Sequence, residues 1–354
     1  MAKKKSKCLE LSKSGFYSNL RSILGYTWAI FIFLLGGRMA GKSYAVMDFF
    51  LSQFKKKGTP FYWLRLTPAS AKKLLSNNAQ DLVDPDLRYK YKLDLTVKGE
   101  CVYSVIRRSE QGKILEKRLM CRVMALSTYY NNKGQGIFDK DWLKNNPGKY
   151  YNICLDEMNR ETTERDTFDI VKAFANQLEN IVRTTKKRIR VICIGNTLDE
   201  ASDILAAFNF IPHEFGRFKL KRHRAVVENI PLSEAYVKRR KGSAADILAG
   251  NEPTFTNEIK LDSSRITTCK LHKPSYIIVF DKSHKFTVWD GNIVAPYNKE
   301  KSLQIAMRPA LDLPYNKESV DQVLNMFNTK SYWFRNLMTQ VNFKKEIKIF
   351  LPKR

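Results

Sequence analysis

Apolar residues in this chain gather into short unbroken runs, separated by stretches with helical spacing. Trp28-Ala29-Ile30-Phe31-Ile32-Phe33-Leu34-Leu35 is the first run, and Phe61-Tyr62-Trp63-Leu64-Arg65 is the second. Tyr151-Asn152-Ile153-Cys154-Leu155 and Ile189-Arg190-Val191-Ile192-Cys193-Ile194 follow. Runs this short, apolar on both faces, read as buried strands. Between them, Val46, Phe49, Phe50 and Phe54 fall at i, i+3, i+4 and i+8, one face of a helix that Lys55-Lys56-Lys57-Gly58 closes. Thr67-Pro68 opens a second helix near residues 68–83. Val171, Phe174, Ala175, Leu178 and Val182 mark a third, starting at Asp166 and running into Arg183. Strands alternating with helices predict an α/β domain with a largely parallel core sheet.

Elsewhere the pattern changes. Residues 90–126 are strand-like and positively charged, with turns at Lys98-Gly99-Glu100 and Gln111-Gly112-Lys113. Residues 233–248 look helical and contain Lys238-Arg239-Arg240-Lys241. Beyond them, residues 275–281, 285–290 and 292–295 read as an antiparallel meander, with helices over 319–327 and 333–338. The expected organisation is an α/β domain over residues 1–228, a helical linker or lid over 229–255, and an α+β domain over 256–354.

The first two elements enclose the most specific motif, Gly36-Gly37-Arg38-Met39-Ala40-Gly41-Lys42-Ser43, which fits GxxxxGK[ST] between a strand and a helix. The glycines let backbone N–H groups wrap phosphates, and the helix N-terminus adds partial positive charge. Lys42 is expected to reach the β- and γ-phosphates of ATP, and the Ser43 hydroxyl to ligate Mg²⁺; Tyr44 completes the binding segment. Asp156-Glu157, ending an apolar strand, reads as a Walker B pair as in additional-strand ATPases. Asp156 would hold Mg²⁺, while Glu157 would orient and polarise the attacking water. Asn196 ends the next strand, where it serves either as a sensor of the γ-phosphate or as a turn residue. Arg38 is placed to reach phosphate oxygens or to face solvent. Arg183 is a candidate finger for a neighbouring subunit's site, against simple charge pairing at a helix C-terminus, a role that also suits Lys186, Lys187 and Arg188. Lys133, in Asn131-Asn132-Lys133-Gly134-Gln135-Gly136, approaches phosphates of DNA or nucleotide, or is a solvated loop lysine.

Composition adds a partner. The 354 residues carry 62 Lys+Arg against 35 Asp+Glu, a formal charge of +27. Both halves share the excess, which points to a polyanion. The six cysteines form no CxxC pair, so neither a disulfide framework nor a zinc site is expected, and a reducing cytoplasm fits. Lys3-Lys4-Lys5 and the first apolar run imitate a signal peptide, but the run is too short to span a membrane and leads straight into the phosphate loop.

In order along the chain, GGRMAGKSYAV, FYWLR, ALSTYYNNKG, ICLDE, VRTTKKRIRVICIGNT and KRRKGSAADILAG resemble the DNA-packaging ATPase of small tailed phages of the phi-29 type. The resemblance covers the α/β domain and linker well and the C-terminal domain loosely. It implies a homomeric ring, with five subunits expected, docked on the portal of an empty capsid in the cytoplasm of the infected bacterium. ATP hydrolysis would drive double-stranded DNA inward through contacts with the backbone alone, with a packaging RNA as a further partner of the family. By this likeness Arg183 becomes the preferred trans-acting finger, with Lys186, Lys187 or Arg188 as substitutes, and Lys133 a second trans-acting or DNA-gripping residue. The C-terminal domain corresponds to a reduced ribonuclease-H-like fold. Asp281 and Asp290 are its candidate metal carboxylates, but the sequence offers no third partner, so no nuclease activity is expected. A terminase with an active nuclease and a nucleotide-dependent nucleic-acid-binding switch are the alternatives.

Overall fold

The computed structural model describes residues 23, 26–37, 40–132, 150–159, 168–182, 189–196, 202–208, 210–212, 215–232, 237–238, 240–249, 265–267, 269–281, 284–297 and 310–347. The chain divides into two compact units: residues 1–204 with 212–260, and residues 205–211 with 261–354.

The larger unit is built on a nine-stranded sheet. Its strands are β1 (Phe31–Gly36), β2 (Phe61–Arg65), β3 (Leu95–Lys98), β4 (Cys101–Arg108), β5 (Ile114–Ala125), β6 (Tyr151–Asp156), β7 (Ile189–Gly195), β8 (Gly216–Leu220) and β9 (Ala225–Ile230), in the order β3-β4-β5-β2-β6-β7-β1-β9-β8. From β5 to β9 every neighbouring pair is parallel. The hairpins β3-β4-β5 and β8-β9 extend the two edges antiparallel. All six residues of β6 and of β9 are buried, as expected of parallel strands covered on both faces.

Helices α1 (Lys42–Lys57), α2 (Pro68–Ala79), α3 (Pro85–Lys90), α4 (Ile170–Val182) and α5 (Ala244–Ala249) belong to the same unit. Helix α1 buries Val46, Phe50 and Phe54, and ends at Gly58 as its pattern predicts. Phe50 packs against Phe61 and Trp63 of β2, with ring centroids 5.1 and 6.4 Å apart. Helix α2 stops short of the predicted residue 83, because Ser76, Asn77 and Asn78 leave helical geometry. On α4 the buried face is Ile170, Ala173, Phe174, Gln177 and Ile181; of the expected stripe Phe174 is buried, Val171, Leu178 and Val182 are half-buried and Ala175 is exposed, so the face is turned by about one position. The polar Gln177, whose Nε2 lies 3.6 Å from the Met124 sulfur, hides the true stripe. A turn at 241–243 interrupts the helix expected over 233–248.

In the smaller unit β10 (Pro274–Val279), β11 (Lys285–Trp289) and β12 (Ile293–Pro296) form the predicted antiparallel meander. Two strands escaped the sequence reading. β13 (Ala310–Asp312) runs parallel to β10, and β14 (Trp333–Phe334) runs parallel to β12. The helix expected over 333–338 is therefore replaced by β14 followed by α7 (Leu337–Ile347), while α6 (Lys317–Asn328) falls where expected. Phe343 of α7 centres the core, with Phe280, Phe286 and Tyr332 edge-on around it.

Candidate nucleotide and catalytic site

The carboxyl ends of β1, β2, β6 and β7 open on one side of the larger sheet, where parallel α/β sheets place their ligands. β1 ends at Gly36, whose φ of 153° and close neighbour exclude a side chain: a Cβ there would meet the Ile230 carbonyl oxygen at 2.8 Å. Gly41 takes φ 77° at the N-cap of α1. That helix begins with no side-chain cap and no acidic residue in its first turn. Its leading N–H groups, with the partial positive charge of the helix end, are therefore open to an anion.

Lys42 sits at the head of α1, 6% exposed. Its ammonium donates to the carbonyls of Gly36 and Gly37 at 2.8 and 2.7 Å. Burial lowers its pKa to about 8, against the opposing pull of Asp156. Ser43 Oγ donates to Asp156 Oδ1 at 3.1 Å, joining the helix head to the end of β6. The hydroxyl and the carboxylate, paired beside the open helix end, are oxygen donors of the kind that could hold Mg²⁺. Glu157 follows on the turn, at φ 57° and with 59% of its side chain exposed. Asn196 follows β7 and lines the same cavity of about 640 Å³, together with Ala40, Gly41 and Tyr44.

The sequence reading assigned no role to Arg65, the last residue of β2. Strand β2 pairs in parallel with β6, Leu64 opposite Leu155, so Arg65 arrives beside the acidic pair. Its Nη2 lies 2.8 Å from Asp156 Oδ2, and its Nη1 pairs with Glu157 Oε2. Burial pushes the Asp156 carboxyl above its ordinary pKa, Glu157 adds to the rise, and Arg65 and Ser43 oppose it. One guanidinium thus holds two neighbouring carboxylates together. The only sequence signal was an arginine ending an otherwise apolar strand.

The structure brings together Gly36, Gly37, Ala40, Gly41, Lys42, Ser43, Tyr44, Asp156, Glu157 and Asn196 at this end of the sheet. Arg38, Met39, Lys133, Arg183, Lys186, Lys187 and Arg188 lie outside the described residues. Of the two carboxylates singled out in the smaller unit, Asp290 accepts the backbone N–H groups of His272 and Lys273 at 3.1 and 2.9 Å, whereas Asp281 turns toward His284.

Residues 11–275 match the family model of the Podovirus DNA encapsidation protein (Gp16). The chain belongs to that family. It is 26% identical over 260 residues to the DNA packaging proteins of Bacillus phages PZA and phi29, which covers 72% of this chain and 68% of theirs. Among solved structures, the bacteriophage phi-29 viral genome packaging motor assembly matches with a TM-score of 0.60 and 20% identity, over 95% of this chain and 99% of that one. The phi-28 gp11 DNA packaging motor matches with a TM-score of 0.60 and 14% identity, over 95% and 98%. At these identities the two structures show a shared fold. The α/β architecture with a parallel core sheet, read first from the hydrophobic runs, is therefore the fold of this family member.

Proposed function

We propose that the chain is the ATP-hydrolysing subunit of a phage motor that drives double-stranded DNA into a preformed capsid. The observation that carries this reading is the junction of Ser43, Asp156, Glu157 and Arg65 at the open head of α1. An isolated binding module needs the helix head and Lys42. It has no use for a solvent-facing carboxylate one residue beyond a buried one.

Lys42 and the leading N–H groups of α1 bind the phosphates, and Ser43 with Asp156 hold Mg²⁺. When bound, Mg²⁺ neutralises charge that develops between the β- and γ-phosphates. Phosphate oxygens compete with the Gly36 and Gly37 carbonyls for the Lys42 ammonium, and gain because they carry full charge. Glu157, the exposed member of the pair, accepts a proton from the attacking water once its carboxylate leaves Arg65. Arg65 then keeps Asp156 ionised, as a metal ligand must be. Asn196 stands at the cavity wall as the polar group that reads the γ-phosphate.

The finer reading is a ring, with five copies as the expected number, docked on the capsid portal in the host cytoplasm. Arg183 completes the neighbour's site, and Lys133 acts in trans or grips DNA. Residues 1–228 form the motor domain, 229–255 a linker, and 256–354 a ribonuclease-H-like domain without nuclease activity that contacts portal, packaging RNA or DNA. Family membership and the charge of +27 support it. Among the described residues no helix is long and apolar enough to cross a membrane. The test is ATP turnover with double-stranded DNA of unrelated sequences at rising salt. Stimulation should be independent of sequence and decline steeply with salt, as phosphate-backbone contacts require. Turnover indifferent to DNA at every salt concentration would favour the nucleotide-dependent switch.

A further inference from the structure

Parallel pairing gives the larger sheet two unlike ends. The carboxyl end holds the phosphate loop and the Asp156-Glu157 pair, whereas two basic segments that the nucleotide chemistry does not use meet at the amino end. Helix α1 runs back from the phosphate loop for 16 residues, about 24 Å at 1.5 Å each, and closes with Lys55, Lys56 and Lys57. Residues 58–60 alone separate it from β2, so these lysines stand at the amino end of that strand. On the far side, β9 pairs in parallel with β1, Phe31 opposite Ala225 and Gly36 opposite Ile230. The antiparallel β8–β9 hairpin therefore also turns at the amino end, through Lys221, Arg222, His223 and Arg224. Along the order β2-β6-β7-β1-β9, four spacings of about 4.8 Å set the two segments roughly 19 Å apart.

The hairpin turn is fixed by its backbone. Arg224 takes φ 51°, its carbonyl accepts the N–H groups of Ile30 and Phe31 at 2.7 and 3.2 Å, and its Nε donates to the Trp28 carbonyl at 3.2 Å. Neither segment balances its own charge, because the sequence holds no Asp or Glu from residue 49 to 80 or from 215 to 227. The next acid, Glu228, is taken by Arg217 at 2.5 Å, with both side chains buried. Tyr26 registers the field nearby. A hydrogen bond from Arg217 and the ammonium of Lys219, 4.7 Å from its ring centre, hold the phenol below its ordinary pKa. Lys55, Lys56, Lys221, Arg222 and Arg224 are all exposed. Like charges gathered on fixed backbone repel one another, and an anion from outside removes that cost.

We propose that the amino end of the larger sheet binds the phosphate backbone of double-stranded DNA, with the tail of α1 and the β8–β9 turn as its two footholds. The choice of DNA rests on the motor reading, while its place on the chain follows from the sheet. A separation of roughly 19 Å is too wide for one small anion to bridge. A duplex that carries a charge about every 1.7 Å along its axis meets both segments at once. Contacts made by lysine and arginine with phosphates accept every sequence, as a motor requires. The surface and the phosphate loop lie at opposite ends of the strands, so DNA and ATP bind without competing. One helix joins them, since α1 carries the nucleotide at its head and DNA at its tail.

The test is fluorescence anisotropy of a labelled DNA duplex of mixed sequence with full-length protein, without nucleotide, between about 50 and 200 mM salt. Lys55→Ala/Lys56→Ala and Lys221→Ala/Arg222→Ala should each weaken binding about tenfold or more at the lowest salt and reduce the slope of log affinity against log salt by about 2. Lys72→Ala/Lys73→Ala removes the same charge from exposed positions on α2 and should change both little. ATP binding and melting temperature should match wild type in all three, which reports intact folding. Wild-type affinity and slope in both the α1 and the hairpin variants overturn the surface and leave the motor reading standing. An equal loss in Lys72→Ala/Lys73→Ala also overturns it, since charge spread over the whole chain then explains binding. A wild type that binds no duplex DNA at any salt defeats the surface and the motor reading together. Duplex RNA of the same length should compete no better than DNA; tighter RNA binding, lost in the same variants, overturns the assignment to DNA.

Discussion

Replacing Arg65 by methionine separates the two arms of the acidic cluster. Arg65 and Asp156 expose 14% and 5% of their side chains, so their pair is buried, whereas Glu157 exposes 59%. The exposed arm is worth at most about 1 kcal/mol. Breaking the buried arm leaves an uncompensated carboxylate, typically a loss of about 3–5 kcal/mol. Protonation of Asp156 limits that loss, because neutralising a carboxyl with the ordinary pKa of 3.8 at pH 7 costs about 4.4 kcal/mol. The Asp156 arm therefore decides the outcome, with a loss near 3–4 kcal/mol. For a unit of this size that lowers Tm by roughly 6–16 °C. Scanning calorimetry of nucleotide-free wild type, Arg65→Met and Arg65→Met/Asp156→Asn measures it. The double variant should recover at least half of the loss, since it removes the stranded charge. The gap between Arg65→Met and wild type should also narrow toward acid. The folded-state pKa of Asp156 lies above its unfolded value, so stability falls as pH rises through that interval, and falls further without Arg65. A single variant melting within about 2 °C of wild type, or a double variant no better than the single, would refute the reasoning.

Other parts of the site give independent tests. With its pKa at about 8, Lys42 loses its charge in the empty site as pH rises, so ATP affinity should weaken above pH 8, and Lys42→Ala should abolish that dependence; fluorescence titration with a nucleotide analogue reads both. The same shift makes fold stability rise between about pH 8 and 10.5, because the unfolded chain holds the proton longer, and pH-dependent denaturant melts check the sign. Gly36→Ala forces a side chain against Ile230 at φ 153° and should cost about 1–3 kcal/mol, read as a shift in the denaturation midpoint, while also weakening ATP binding. Glu157→Gln should keep ATP binding and lower turnover by about a hundredfold or more in a steady-state phosphate-release assay.

Much of this site was legible in the sequence because its geometry is local. The phosphate loop is specified by consecutive residues, and Gly36, Gly41, Lys42 and Ser43 stand together at the head of α1, where their spacing puts them. Asp156 was recognisable because it ends an apolar run. Arg65 was not, since its meaning depends on β2 lying against β6, a pairing that spacing along the chain does not reveal. On α4 the expected Phe174 is buried, but Gln177 is polar yet buried, so hydrophobicity alone pointed to its neighbours Val171, Ala175, Leu178 and Val182 for the rest of the face. Strand β14 is two residues long and owes its form to the partner strand β12, which leaves no periodic trace.

The central claim is tested most directly by ATP hydrolysis with and without double-stranded DNA in wild type, Glu157→Gln, Arg183→Ala and a mixture of the two variants. A ring motor with a shared site predicts strong stimulation by DNA, loss in each variant alone, and partial recovery on mixing, because some interfaces then combine an intact Glu157 with a neighbour's intact Arg183. Turnover that DNA does not stimulate, and that Arg183→Ala leaves unchanged, would contradict it.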